Sequence, residues 1–163
     1  MSEIKRVLFI CYANICRSPA AEGLARLYAT KYGLKGVEFD SAGWHTAFPT
    51  AVKETKDYVE AKGIDMATFK SKLITRELIE SADLIIGLER YHLLRVRKRF
   101  KEIKEEIKDK LFTLKEFNGA EKKDMNIPDP YKKPLEQYNR IMKIVDENVE
   151  NLVKKIKFIN NSD

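Results

Sequence analysis

Histidine and cysteine are scarce in this chain, with two of each among 163 residues. Cys11 and Cys16 lie five positions apart, too close to serve as the disulfide framework of a secreted domain. Neither His45 nor His92 stands at a ligand spacing from them, so a zinc site is not expected, and no metal or other cofactor is called for. Long apolar runs are also missing. No stretch approaches the roughly 18 consecutive apolar residues a membrane span needs, and Val7 to Ile10 is too short for the core of a signal peptide. A cytoplasmic protein with no membrane partner is expected. Internal repeats and low-complexity segments are absent, and the length suits one domain over residues 1–158 with a short tail, 159–163.

The net charge is +6, and residues 90–101 hold six basic side chains (Arg90, Arg95, Arg97, Lys98, Arg99, Lys101) with no acidic one. Such a run is either a solvated helix face or an attractor for acidic partners. It contains no base-reading motif, so nucleic acid is not the expected partner.

Short β-branched and aromatic runs alternate with helical spacings. Strands fit Val7 to Ile10, Val37 to Ser41, Leu84 to Leu88 and Leu111 to Leu114. Helices fit Pro19 to Tyr32, Thr50 to Ala61, Arg90 to Lys110 with a break near Phe100, and Leu135 to Phe158, whose apolar positions recur at three and four. The segment from Lys115 to Pro134 reads as a long irregular loop, a feature that is usually functional in a compact domain. This alternation implies an α/β fold with a parallel sheet covered on both faces and a ligand site beyond the carboxyl ends of its strands.

Cys11 falls at such an end. Between the first strand and helix the chain reads Cys11-Tyr12-Ala13-Asn14-Ile15-Cys16-Arg17-Ser18-Pro19. A loop closing on a helix start aims backbone N–H groups inward and favours a tetrahedral dianion. The helix field and Arg17 favour the thiolate of Cys11, the nucleophilic form. Arg17 has the planar fork that grips two phosphate oxygens, Ser18 is placed to donate to the Cys11 sulfur, and Asn14 tolerates the left-handed conformation the curl needs. Cysteine and arginine flanking five residues are a weak signal alone. The strand before them and the helix after them, with Pro19 in its first turn, strengthen it.

The segment VLFICYANICRSP, Val7 to Pro19, resembles the signature loop of the low-molecular-weight tyrosine phosphatases, and the likeness extends to Ser41-Ala42-Gly43 and Asp129-Pro130-Tyr131. The resemblance implies a three-layer α/β fold with a four-stranded parallel sheet in order 2-1-3-4. It also implies hydrolysis of phosphotyrosine in proteins through a cysteinyl-phosphate on Cys11, with inorganic phosphate or vanadate as inhibitors. A Pro-Asp-Pro sequence is more often a plain turn. By the resemblance Asp129 becomes the general acid and base, stiffened by Pro128 and Pro130. Tyr12, Trp44 and Tyr131 are then candidate walls for an aromatic ester, with the loop residues Ala13, Ile15 and Cys16 around the phosphate.

The chain departs from the family pattern in places. Ala13 stands where glycine is usual, Lys132 and Lys133 follow Tyr131, and Phe69 occupies the place of a histidine, leaving Ser41 as the main partner of Asn14. A related arsenate reductase branch needs further cysteines. An arginine phosphatase branch resembles this loop but carries threonine at the position of Ile15, whereas an apolar Ile15 favours an aromatic ester. An idle phosphate-binding module would not need Asp129. Cys16 is read either as a thiol that resolves oxidised Cys11 or as a small buried residue under the loop.

Overall fold

The structure is a computed structural model describing residues 1–162. Its elements run β1 (Arg6–Cys11), α1 (Arg17–Lys31), β2 (Glu38–Gly43), α2 (Lys53–Glu60), α3 (Arg76–Ser81), β3 (Leu84–Gly87), α4 (Arg90–Arg99), α5 (Lys104–Ile107), β4 (Leu111–Thr113), α6 (Leu114–Phe117) and α7 (Leu135–Asn160). Short 3-10 turns, Lys101–Ile103 and Lys108–Lys110, flank α5. The four strands are parallel and ordered β2-β1-β3-β4, as the resemblance implied.

The side-chain period of two along β1 divides the core. Val7, Phe9 and Cys11 belong to the larger apolar cluster with α1 and α7, whereas Leu8 and Ile10 join Ile79, Leu93 and Val96 on the face covered by α3 and α4. Every apolar position expected to face inward on α7, from Tyr138 to Ile156, is buried.

Several boundaries differ from the sequence reading. β2 continues to Gly43 because a second edge pairs there: Gly43 N–H donates to the Lys72 carbonyl at 2.9 Å and its own carbonyl accepts from Ile74 N–H at 2.9 Å. α2 starts only at Lys53, since Val52 is extended. The break at Phe100 is present, with φ −113° and ψ 42°. α3 and α6 were not expected. Each is short and begins at a threonine that caps it, Thr75 accepting from Leu78 N–H and Thr113 forming a capping box with Glu116. The irregular segment therefore starts after Phe117 rather than at Lys115. α7 runs two residues past Phe158, and the side chain of Asn160 accepts from Ile4 N–H and donates to the Ile4 carbonyl, both at 2.8 Å, fixing residues that were read as tail.

One buried carboxylate ties three helical segments together. Asp146 on α7 accepts from Tyr28 of α1 and from Tyr58 of α2 at 2.7 Å, and pairs with Lys62 at 2.7 Å. Burial opposes its ionisation, but these hydrogen bonds outweigh burial and hold its pKa below the usual carboxylate value. A depressed pKa contributes stability above the unfolded value, near 4, that is lost as pH falls through the folded one. Asp146→Ala should therefore lower the unfolding free energy by about 3 kcal/mol at pH 7, the scale of hydrogen bonds to a charged group plus two stranded hydroxyls. Denaturant titration checks this, and the gap between variant and wild type should narrow as pH drops below about 4.

Candidate active site

β1 delivers Cys11 to the carboxyl edge of the sheet, and residues 12–16 curl from there into α1. The curl is held from outside by its carbonyls. Tyr12 O accepts from the N–H groups of Trp44 and His45 at 2.6 and 3.1 Å, Ile15 O from Val52 N–H at 3.0 Å, Asn14 O from the Ser71 hydroxyl at 2.8 Å, and Cys16 O from the Thr55 hydroxyl at 3.1 Å. In a trans peptide the next N–H points the opposite way. Tying these four carbonyls outward turns the N–H groups of Ala13, Ile15, Cys16 and Arg17 toward the inside of the loop, where they form an anion cradle at a helix start.

Asn14 is fully buried at φ 56°, the left-handed conformation foreseen for it. Its Nδ2 donates to Ser18 Oγ at 2.8 Å and to Ser41 Oγ at 2.9 Å, and its Oδ1 accepts from Lys72 N–H at 3.0 Å. Ser41 in turn donates to Glu22 at 2.7 Å. Because the Ser18 oxygen already accepts from Asn14, its proton is free to point at Cys11 Sγ, 2.8 Å away. The backbone N–H of Lys72 thus takes up the amide oxygen, while Ser18 and Ser41 take up the amide nitrogen.

A cavity of about 320 Å³ opens above the loop. Cys11, Tyr12, Ala13, Ile15, Cys16 and Arg17 form its floor and one side, and Asp129 and Tyr131 close the other. Asp129 sits in a turn in which its carboxylate accepts from Tyr131 N–H at 3.0 Å. The turn is anchored to β3 through Ile127 N–H, which donates to the Leu88 carbonyl at 3.0 Å. Arg17 lies beneath, almost wholly buried, and its Nη1 donates to the Ile127 carbonyl at 2.6 Å and pairs with Glu89 at 2.9 Å. Its Nε is buried without a partner among the described residues.

The family described as low molecular weight phosphotyrosine protein phosphatase matches residues 6–160. The chain belongs to that family. The protein-arginine-phosphatase of Geobacillus stearothermophilus is 34% identical over 153 residues, covering 93% of this chain and 96% of its own. The low molecular weight protein-tyrosine-phosphatase YfkJ of Bacillus subtilis is 33% identical over 131 residues, covering 77% and 80%. The solved low molecular weight protein tyrosine phosphatase of T. tengcongensis superposes with a TM-score of 0.81 at 33% identity, covering 92% of this chain and 98% of that one.

Within this phosphatase fold one expected wall is misplaced. Trp44 does not line the cavity. Its backbone N–H donates to the Tyr12 carbonyl, and its ring packs beside α4 under Arg95 and Arg99, with guanidinium carbons 4.8 and 6.0 Å from the indole centroid. His45, Ala47 and Phe48, farther along the same segment, supply the wall instead, with His45 stacked on Tyr12 at 6.0 Å and Phe48 tilted against Tyr131 at 6.4 Å.

Glu89 and Glu22 were not foreseen. Glu89 stands just after β3, at the sheet edge where ligand sites form, and that position was the available signal. It is steadied by His92, whose Nδ1 accepts from the Leu88 and Glu89 N–H groups at 3.2 and 3.1 Å. Burial and then the charge of Arg17 push the pKa of His92 down to about 3, so the ring is neutral and its Nε2–H faces Glu89 at 3.7 Å. Glu22 is buried, which raises its pKa, while Arg26 at 2.7 Å and Ser41 favour the charged form. Cys16 is buried too, and burial pushes its pKa up to about 12. Among the described residues no group of three His, Cys, Asp or Glu side chains could hold a metal ion, and no helix is long and apolar enough to cross a membrane.

Ser18→Ala removes the one side-chain donor to Cys11 while leaving the backbone cradle. It should lower kcat for an aryl phosphate about 10- to 100-fold, the scale of a hydrogen bond to a charged group, with a much smaller change in the inhibition constant of inorganic phosphate. Steady-state kinetics with phosphate as competitor check both numbers.

Proposed function

We propose that the protein hydrolyses phosphotyrosine in proteins through a cysteinyl-phosphate intermediate. The observation that supports this reading most strongly is the convergence of Cys11, Arg17 and Asp129 on one cavity whose side walls are Tyr12, Ile15, Phe48 and Tyr131. Cys11 attacks the phosphorus as thiolate, and the inward N–H groups hold the equatorial oxygens. Arg17 Nη1 is committed to Ile127 and Glu89, which leaves the Nε and Nη2 edge to form the bidentate contact. Asp129 gives its proton to the departing phenolic oxygen and then takes one from the water that attacks the phosphocysteine. Cys11 leaves as thiolate, and the Ser18 hydroxyl stabilises it in both steps. The aromatic walls hold a flat ring at the depth that brings its phosphate to the loop, a depth the shorter phosphoserine does not span.

Phosphoarginine is the second reading, favoured by the likeness to the protein-arginine-phosphatase of Geobacillus stearothermophilus. Ile15 weighs against it: an almost wholly buried apolar side chain at the cavity offers no hydrogen bond to a guanidinium. Hydrolysis of matched phosphotyrosine, phosphoarginine and phosphoserine peptides without added metal discriminates the readings. Phosphotyrosine turnover should be fastest, and a preference for phosphoarginine would overturn the assignment. Asp129→Asn should slow phosphotyrosine hydrolysis about 10²- to 10⁴-fold and nitrophenyl phosphate hydrolysis less, because that leaving group needs little protonation. Equal losses on both substrates would assign Asp129 a structural role.

The pair Cys11 and Cys16 supports a redox role at the same site. Peroxide converts Cys11 to a sulfenic acid, and the Cys16 sulfur displaces its hydroxyl as water to give a disulfide that added thiol reduces. Cys16 must lose its proton to react, and burial holds that proton on. The disulfide should therefore form faster as pH rises. After peroxide treatment Cys16→Ser should recover far less activity on adding thiol than the wild type, and equal recovery would leave Cys16 as a buried packing residue.

A further inference from the structure

The basic run left unexplained by the chemistry becomes specific once its surroundings are considered. Five of the nine arginines form ion pairs: Arg6, Arg17, Arg26, Arg76 and Arg140. The other four, Arg90, Arg95, Arg97 and Arg99, all lie on α4, and none has an acidic partner among the described residues. Arg95 is held by aromatic faces instead, with its guanidinium carbon 4.8 Å from the Trp44 centroid, 5.7 Å from Tyr91 and 5.8 Å from Tyr12. Arg99 lies 6.0 Å from the same indole. Trp44, Tyr91, Leu94, Arg95, Lys98 and Arg99 line an open groove of about 630 Å³.

Stacking occupies the faces of a guanidinium and leaves its N–H edge for a planar acceptor. An arginine fixed in this way is pre-oriented for a carboxylate, so little side-chain entropy remains to be lost when one binds. The groove also adjoins the active site. Tyr12 is a wall of the catalytic cavity and lies under Arg95, and His45, next in sequence to Trp44, stacks on Tyr12 within that cavity.

Building on the phosphatase reading above, we propose that this groove is a substrate subsite that binds an acidic segment flanking the phosphorylated residue, with Arg95 and Arg99 gripping its carboxylates over the Trp44 ring. The exposed Tyr91 and Leu94 offer apolar contact beside the charges. Trp44 is the only tryptophan in the chain, so its fluorescence reports the groove without reference to catalysis.

The test titrates the full-length protein with an unphosphorylated peptide rich in Asp and Glu and with a neutral peptide of equal length. The acidic peptide should change Trp44 emission saturably, and the neutral one should not. Arg95→Glu combined with Arg99→Glu should weaken this binding at least about tenfold, as should raising the salt toward 1 M. In parallel, kcat/KM for a phosphotyrosine peptide with acidic flanks should exceed that of its neutral counterpart by about tenfold in the wild type and fall to parity in the double variant, while nitrophenyl phosphate hydrolysis stays within about twofold. Arg99→Glu alone, farther from Tyr12, should give an intermediate loss. An unchanged emission with the acidic peptide, an acidic preference that survives the substitutions, or tighter binding of an oligonucleotide than of the peptide would each overturn the subsite. Failure of the wild type to hydrolyse nitrophenyl phosphate would instead count against the phosphatase reading, and the fluorescence titration would still decide the groove.

Discussion

The outward tethering of the residue 12–16 carbonyls is the constraint on which the site depends. A loop of five peptides does not turn its N–H groups to one point unaided, because each inward N–H leaves a carbonyl that must be satisfied elsewhere. Here the acceptors for loop closure are matched by donors from three separate segments: Trp44 and His45, the start of α2 at Val52 and Thr55, and Ser71. Asn14 completes the arrangement from within, since its amide joins Ser18, Ser41 and the Lys72 backbone around a residue at positive φ. Gly43 belongs to the same constraint. A Cβ there would stand 2.7 Å from Asn14 N and 2.8 Å from Tyr12 O, so the loop can lie on β2 only where no side chain intervenes.

The same logic extends outward from Arg17. Its burial is tolerable because Glu89 balances its charge and the Ile127 carbonyl accepts a hydrogen bond from it, and each of these partners makes a second contact. The Glu89 N–H donates to Nδ1 of a neutral His92, and Ile127 N–H joins the Asp129 turn to the end of β3. The acid and the arginine therefore share a single brace. On the proposed mechanism, movement of the 126–129 segment would disturb phosphate binding and proton transfer together.

Much of this was legible in the sequence. The short apolar runs marked all four strands, and the helical spacing of α7 marked its buried face, because period and burial are local properties of a continuous stretch. The loop residues were legible for the same reason, being consecutive. α3 and α6 escaped because about a turn and a half of helix displays no period, and their threonine caps resemble ordinary turn residues. Trp44 is a candidate wall on the sequence because it follows the second strand, where the resemblance places the pocket. Its ring instead lies against Arg95 and Arg99 of α4, a tertiary contact the sequence does not display. Glu89 and Glu22 were missed because their partners, Arg17 and Ser41, are brought to them only by sheet order and helix packing.

On the proposed mechanism phosphate passes through a covalent bond to Cys11. Mixing the protein with a saturating aryl phosphate, quenching in acid within milliseconds and mapping the modified peptide by mass spectrometry tests it most directly. One phosphoryl group on Cys11 is predicted, appearing before free phosphate and absent from Cys11→Ser. A phosphoryl group on any other residue, or phosphate release in a first turnover with no phosphorylated protein formed, would contradict the account.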